Sequence, residues 1–352
     1  MNYFQIISNE LLVGFAVSFI LSILALLTFR WHKFLSSDGN IGIQKIHQGD
    51  IPRIGGITIF ISIVTQSYLL NNDLSENINI ILFSVSFVFI SGFAEDITKK
   101  IRPRWRLIAS FVSGTFLFIF LDIKITETGF SFFDYILGYY FLCFLISVLA
   151  IITMSQAMNI IDGLNGLSIG SGILMLIAIS FISLSEEDFF IYQLSLCFLV
   201  SILGLFVINF PFGKIFLGDG GAYMLGMFLA ILVILMPERN SNISSLSSLL
   251  IVSYPVYETL RSFFRRVFSK DLYWFNPDDQ HLHSICFNWA IKKLLVKRFT
   301  ANILSSLCIL ILPFLSSCLA ILYYDNVLML FISLLIIIIL FEIMIFIGRK
   351  LI

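Results

Sequence analysis

Residues 327–347 read VLMLFISLLIIIILFEIMIFI, and Glu342 is the only charged residue in this run. A helix of about 20 apolar residues is long enough to cross the hydrocarbon core of a bilayer. Lipid offers no hydrogen bonds to the backbone, and the run lacks the alternating pattern of a β-barrel strand. The run therefore predicts a transmembrane helix.

Similar apolar runs recur along the whole chain. Together they predict an all-α integral membrane protein, with residues 1–352 forming a single polytopic domain. The largest segment between spans is a cytoplasmic loop at about 265–298. The eleven predicted transmembrane helices cover residues 11–29, 54–70, 78–94, 107–121, 137–158, 168–184, 189–208, 222–236, 243–263, 300–322 and 327–347.

The composition also indicates that the lipid bilayer surrounds most side chains. Hydrophobic residues make up 59% of the 352 residues and charged residues only 12%, whereas soluble domains are about a quarter charged. The net charge is zero, so no nucleic-acid partner is expected. The five cysteines form no CxxC pattern, which excludes a zinc site or a disulfide framework of the usual spacing.

The distribution of basic residues predicts the orientation. With the N-terminus outside and the C-terminus inside, 20 of the 22 Lys and Arg residues fall on the cytoplasmic side. Only Lys124 and Arg239 fall outside, as the positive-inside rule requires. All four histidines fall on the cytoplasmic side as well, so the polar chemistry is expected on that face.

The first cytoplasmic loop contains KIHQGDIPRIGG at residues 45–56. It can be a basic turn that leads into a helix. Alternatively, its glycine pair lets the backbone approach a ligand whose phosphates contact Lys45, His47 and Arg53.

The second loop begins with adjacent acids, Glu95 and Asp96, at the end of a span. They can balance the basic residues that follow them. Adjacent carboxylates at a membrane boundary are costly, however, unless they are solvated or bind a cation. A divalent cation that bridges phosphates needs one or two such carboxylates.

The third loop reads NIIDGLNGL at residues 159–167, and no basic residue lies near it in sequence. Asn159 and Asp162 are three residues apart, so they would share one face of a helix. An acid at the membrane boundary without a partner in sequence indicates a functional site.

The fourth loop reads KIFLGDGG at residues 214–221 and places Asp219 between glycines at a predicted helix start. Such an acid can simply cap the helix. The nearest basic residue in this loop is Lys214, so we expect the Asp219 carboxylate to be free to bind a cation and to contribute nothing else to stability.

The fifth loop reads NPDDQHLHS at residues 276–284. Two histidines beside two acids can suggest zinc, but no third ligand follows at the usual spacing. Imidazoles that face a pyrophosphate fit His281 and His283 better.

Taken in order, the motifs HQGDIPRIGG, the acid pair, NIIDGLNGL, KIFLGDGG, PVYETLRSFFRR and PDDQHLHS resemble the polyprenyl-phosphate N-acetylhexosamine-1-phosphate transferases. Within that family the chain looks most like the undecaprenyl-phosphate N-acetylglucosamine-1-phosphate transferases that initiate O-antigen. The likeness covers residues 40–290.

This resemblance implies a Mg²⁺ site, with Mn²⁺ as an alternative ion, held by Asp219 and Asp162. It implies catalytic roles for Asp96 with Glu95 beside it, and for Asp162. His281 and His283 complete the catalytic set, as contacts to the diphosphate or sugar. The residues predicted to bind substrate are Lys45, His47, Arg53, Asn159, Asn209, Lys214 and Asp278, and of these the resemblance implies Asn159, Asn209 and Lys214.

Three positions depart from the family pattern. Glu95 stands where an aspartate is usual, but it keeps the carboxylate. Asn165 stands where an acid often follows, and Ser284 replaces the last histidine of the final motif. The last two departures bear on sugar specificity more than on the type of reaction.

The implied reaction joins a UDP-N-acetylhexosamine to undecaprenyl phosphate and releases UMP, which initiates a lipid-linked glycan. It places the chain in the bacterial inner membrane as a multi-pass protein, and a homodimer is one assembly to test. A transporter of an anionic solute is the alternative, although its ionisable groups would lie near the midplane. A CDP-alcohol phosphatidyltransferase is disfavoured, because its motif continues after DG with residues that are absent here.

Overall fold

The computed structural model describes residues 3–38, 50–70, 72–268 and 280–351, and these are almost entirely helical. A two-residue strand, β1 (Ser37–Asp38), pairs antiparallel with β2 (Ile51–Pro52). The helices are α1 Tyr3–Leu27, α2 Phe29–Ser36, α3 Gly55–Leu69, α4 Asn72–Thr98, α5 Pro103–Leu121, α6 Ser131–Leu137, α7 Tyr140–Ile160, α8 Leu167–Ser185, α9 Phe189–Asn209, α10 Gly218–Arg239, α11 Ser245–Ile251, α12 Ser253–Phe268, α13 Leu282–Leu294, α14 Arg298–Tyr323 and α15 Val327–Leu351.

The prediction of an all-α membrane protein is confirmed. Within the described ranges, nine helices are long and apolar enough to cross a bilayer, and α3 is a shorter apolar helix. These ten helices match ten of the eleven predicted runs. The exact number of crossings and their orientation stay predictions.

The run at 243–263 is not one continuous helix, which corrects the expectation for the ninth span. It divides into α11 and α12, and Val252 lies between them. Pro255 explains the break, because proline has no N–H to donate to the preceding turn and fits well in the first turn of a helix, where it lies in α12. The second piece is amphipathic, and Arg265 and Arg266 lie in its last turn.

Helix α10 lies at the centre of the bundle, and most of its side chains are buried. It packs against α3, α4, α7, α8 and α11. Its first turn lies very close to α3, since a Cβ added to Gly56 would lie 2.5 Å from the Cα of Gly221. Small residues allow helices to approach closely in a membrane. The start of α10 is therefore held tightly by its neighbours.

The two ends of α10 are separated by roughly 33 Å, at 1.5 Å per residue. At its C-terminal end Arg239 donates to Asp188 over 2.7 Å. Glu186 accepts there from Tyr324 over 2.7 Å and from Asn242 over 2.9 Å. The loops that carry the predicted site acids Asp96, Asp162 and Asp219 do not lie at this end.

The predicted orientation can be tested with two single cysteines. In a background without the five native cysteines, Asp122→Cys should react with an impermeant maleimide added to intact cells, whereas Lys292→Cys should react only after lysis. Both positions are exposed, so burial would not mask the labelling. Labelling of position 292 but not position 122 in intact cells would reverse the topology.

Candidate active site

The first and fourth loops of the sequence analysis pair through their backbones at the start of α10. Phe216 N donates to Pro52 O over 2.9 Å, and Gly55 N donates back to Phe216 O over 2.9 Å. Gly56 N then donates to Leu217 O over 2.8 Å. These bonds bring Arg53 next to the first turn of α10.

The Asp219 carboxylate accepts hydrogen bonds from three side chains. Arg53 Nη2 donates to Oδ1 over 2.7 Å, Asn159 Nδ2 donates to the same oxygen over 3.2 Å, and Arg106 Nη1 donates to Oδ2. The expectation that Asp219 has no basic partner is therefore wrong. It was based on distance along the chain, whereas its partners lie 166 and 113 residues away in sequence.

Asp96 caps α10 from a neighbouring helix. Its Oδ1 accepts from Asp219 N over 2.9 Å, and its Oδ2 accepts from Gly220 N over 3.0 Å. Arg53 Nε lies 3.4 Å from the same Oδ1, and Asp96 is only 3% exposed. The first N–H groups of a helix have no partner within the helix and favour negative charge. Both carboxylate oxygens of Asp96 are thus used within the protein.

Glu95 points toward the turn between α4 and α5. Its Oε2 accepts from Ile101 N over 2.6 Å, and its side chain is half-buried. The Glu95 carboxylate therefore stabilises the turn that connects α4 to α5, the helix that carries Arg106. Its predicted catalytic role stays a prediction.

Asp162 follows α7, and its carboxylate accepts no hydrogen bond from the residues that the structure describes. Burial raises the pKa of the Asp162 carboxyl to about 7; the charge of Arg53 opposes this shift, and that of Asp219 adds to it. A half-buried carboxylate without a donor is costly in its ionised form. A bound cation would therefore stabilise the ionised form of Asp162.

The two histidines stack against the turn that follows Asp162. The rings of His281 and His283 lie 5.5 Å apart and nearly parallel, and both residues are buried. A Cβ added to Gly163 would lie 2.4 Å from His283 Nε2, so only glycine fits there without movement. The third and fifth loops are thus brought together.

Two other residues predicted to bind substrate have different surroundings. The side chain of Asn209 is buried, with its Nδ2 donating to Ile215 O over 2.7 Å and its Oδ1 accepting from Gly166 N over 2.7 Å. Its amide therefore ties two loops together. Lys214 is exposed, and its Nζ lies 5.4 Å from the centroid of the Phe212 ring.

The predicted substrate contacts Lys45, His47 and Asp278 lie outside the described residues.

Two residues of the site were not predicted. Arg106 was counted only for topology, although it lies ten residues after Asp96, in the first turn of α5. Glu258 contacts His281, and its signals in the sequence were its place in the motif PVYETLRSFFRR and its charge within the apolar run 243–263.

The donor set fits a divalent cation that shares its coordination with a substrate. Among the described residues no group of three or more His, Cys, Asp or Glu side chains forms a metal-binding cluster. Mg²⁺, however, usually takes one or two carboxylates and completes its shell with phosphate oxygens and water. Asp162 has its carboxylate uncommitted, and Asp219 Oδ2 accepts a single hydrogen bond. These two acids can therefore hold the ion that the resemblance implies.

Residues 78–237 match the sequence model of Glycosyl transferase family 4. A protein of Bacillus subtilis (strain 168), "Probable undecaprenyl-phosphate N-acetylglucosaminyl 1-phosphate transferase", is 27% identical over 286 residues, or 78% of each chain. The "Phospho-N-acetylmuramoyl-pentapeptide-transferase" of Streptococcus sanguinis (strain SK36) is 27% identical over 239 residues, covering 62% of this chain and 72% of the relative. The resemblance inferred from the motifs is confirmed.

The ion pairs of Asp219 give a prediction about stability. Asp219→Asn should lower the free energy of unfolding by roughly 1–3 kcal/mol, because two mostly buried guanidinium groups lose their charged acceptor. The shift can be measured as a lower melting temperature of the purified protein.

A matched control is available at the other end of the bundle. Asp188 also accepts from an arginine, over 2.7 Å, and Asp188→Asn should lower the melting temperature without loss of activity. If Asp219→Asn melts at the wild-type temperature, the ion pairs of Asp219 contribute nothing to stability.

Proposed function

We propose that the chain transfers N-acetylhexosamine 1-phosphate from a UDP-sugar to undecaprenyl phosphate. The chain is a relative of the polyprenyl-phosphate hexosamine-1-phosphate transferases, and it lies in the bacterial inner membrane. UMP is the second product. The lipid-linked sugar initiates a glycan, of which O-antigen is our specific proposal. One observation carries this proposal: Asp219 lies with Arg53 and Arg106 at the buried N-terminus of α10, and Asp162 is close enough to interact electrostatically with Asp219 and Arg53.

The arginines supply the contacts for a diphosphate. A guanidinium group can bind phosphate oxygens in a bidentate manner, and a helix N-terminus favours an anion. Arg53 and Arg106 are aligned by Asp219, so their orientation is fixed before substrate binds. Phosphoryl transfer depends mainly on alignment and charge neutralisation, which this arrangement provides.

The carboxylates supply the opposite charge. Asp162 and Asp219 would hold Mg²⁺, with Mn²⁺ as a substitute, and the ion when bound neutralises charge on the transferring phosphate. Asn159 donates to Asp219 and keeps that carboxylate in place. Without a cation, Asp162 would repel the diphosphate, so we propose that ion and UDP-sugar bind together.

Asp96 is proposed to position the site as well as to act on the acceptor. The second pKa of a phosphate monoester is about 6, so the acceptor is mostly ionised near neutral pH and hardly needs a base. The two oxygens of Asp96 accept from α10 N–H groups and Oδ1 faces Arg53, and all these contacts would be weakened by protonation of Asp96. Its main contribution is therefore to hold the first turn of α10 and one arginine.

An apolar cavity of about 530 Å³ supports a lipid acceptor. It lies between α7, the C-terminal half of α10, α11 and α12, and its lining includes Met154, Val233, Glu238, Leu249 and Val256. Val233 lies 14 residues beyond Asp219, or roughly 21 Å along α10, so α7 and α10 connect the cavity to the acidic site. An isoprenoid chain gains free energy by burial against such side chains, at about 25 cal/mol per Å².

The proposed function predicts a metal-dependent release of UMP. Purified protein given undecaprenyl phosphate and a UDP-N-acetylhexosamine should release UMP with Mg²⁺, lose this activity on chelation, and regain it partly with Mn²⁺. Asp162→Asn should lower turnover roughly 100-fold or more but melt at or above the wild-type temperature, because no hydrogen bond to its carboxylate is lost.

Asp219→Asn is the comparison, since it should lose both activity and stability. Asp162→Asn with wild-type turnover at saturating Mg²⁺ would contradict the metal assignment. Failure of every UDP-N-acetylhexosamine to yield UMP would contradict the proposed reaction.

Ser284 leads to a prediction about the donor sugar. It replaces a histidine of the family pattern and is buried beside His283. We expect the protein to use N-acetylhexosamines besides, or other than, N-acetylglucosamine. A panel of UDP-sugars with mass analysis of the lipid product tests this, and strict use of UDP-N-acetylglucosamine would argue against it.

A further inference from the structure

We propose that Glu258 of α12 is a positioning residue that fixes the orientation of His281, an inference that rests on the proposed function. Glu258 is only 2% exposed, and its Oε1 lies 2.8 Å from His281 Nδ1. Its other oxygen, Oε2, accepts from Leu282 N over 3.3 Å. One buried carboxylate thus contacts both the imidazole and the first N–H group of α13.

The contact to Nδ1 selects one form of the histidine. A carboxylate can only accept here, so Nδ1 carries the proton and Nε2 is the nitrogen through which His281 acts. A carboxylate that accepts from one imidazole nitrogen fixes the tautomer and orients the ring, as in many metal and hydrolase sites. His281 stacks on His283, which lies against Gly163, so Glu258 sets the position of both rings relative to Asp162.

The second contact explains why an acid is needed. His281 is the N-cap residue of α13, but its side chain makes no capping hydrogen bond. Glu258 supplies the acceptor that the helix start would otherwise lack. A glutamine has one oxygen and one NH₂ group at its tip, so it can accept from His281 or from Leu282 with that oxygen, but its NH₂ group would face the other donor.

Helix α12 is fastened to α15 by residues on either side of Glu258. Arg261 Nε donates to Glu342 Oε1 over 2.7 Å, and the Tyr257 hydroxyl donates to the same oxygen over 3.0 Å. Glu342 is the only charged residue of the run 327–347, and here it fastens α12 to α15. Arg349 of α15 donates to Gln280 Oε1 over 3.1 Å, next to His281. The histidine segment is thus fixed to two helices.

A double-mutant cycle on the full-length protein tests the proposal. Glu258→Gln should lower kcat on the order of 10- to 100-fold, with the KM for the UDP-sugar changed less than about threefold. His281→Ala should lower kcat at least as much. The double variant should match His281→Ala alone, because Glu258 then has no ring to orient.

Glu342→Gln is the matched control. It removes the charged partner of Arg261 but leaves the contact between Glu258 and His281, so it should lower the melting temperature and leave kcat unchanged. If Glu258→Gln does not accumulate as folded protein, Glu258→Asp replaces it in the same cycle with the same expectations.

Three results would be decisive. A double variant whose loss is the product of the two single losses would overturn the positioning role, and so would a Glu258→Gln protein with wild-type kcat. A wild-type protein that releases no UMP would instead refute the proposed function.

Discussion

Asp96 accepts hydrogen bonds from the backbone N–H groups of Asp219 and Gly220, and this interaction fixes where α10 begins. Helix α10 is the buried centre of the bundle, so its first turn determines the positions of the loops around it. Within a membrane protein an uncapped helix start has little water to satisfy it, which makes the capping carboxylate important. Asp219, Arg53 and Arg106 are all placed by reference to this turn.

Charge balance is the second constraint on the site. Asp96 and Asp219 are compensated by backbone N–H groups and arginines, whereas Asp162 has no donor among the described residues. An anionic nucleotide sugar would meet two arginines but also an uncompensated acid. A divalent cation resolves this conflict, because it can bind the acid and the phosphates together. The arrangement therefore suits joint binding of metal and UDP-sugar.

The sequence predicted the helical membrane fold, because that fold depends on local composition. Which loops carry the chemistry stays a prediction, although the structure brings several of the predicted loops together at the start of α10. The sequence could not predict the pairing of Asp219 with Arg53, which lies 166 residues away. It treated Asn209 as a substrate contact, yet a buried amide can equally join two loops. The break near Val252 was missed because Pro255 lies within an apolar run of the length expected for a span.

The central claim is that the sugar moves together with one phosphate, and isotopic labelling tests it most directly. An accepted UDP-N-acetylhexosamine, labelled separately on the α- and β-phosphorus, is incubated with purified protein, Mg²⁺ and undecaprenyl phosphate. The β-label should appear in the extracted lipid and the α-label in water-soluble UMP. Release of both labels together as UDP would contradict the claim, because the bond broken would then be the sugar–phosphate bond rather than the diphosphate bond.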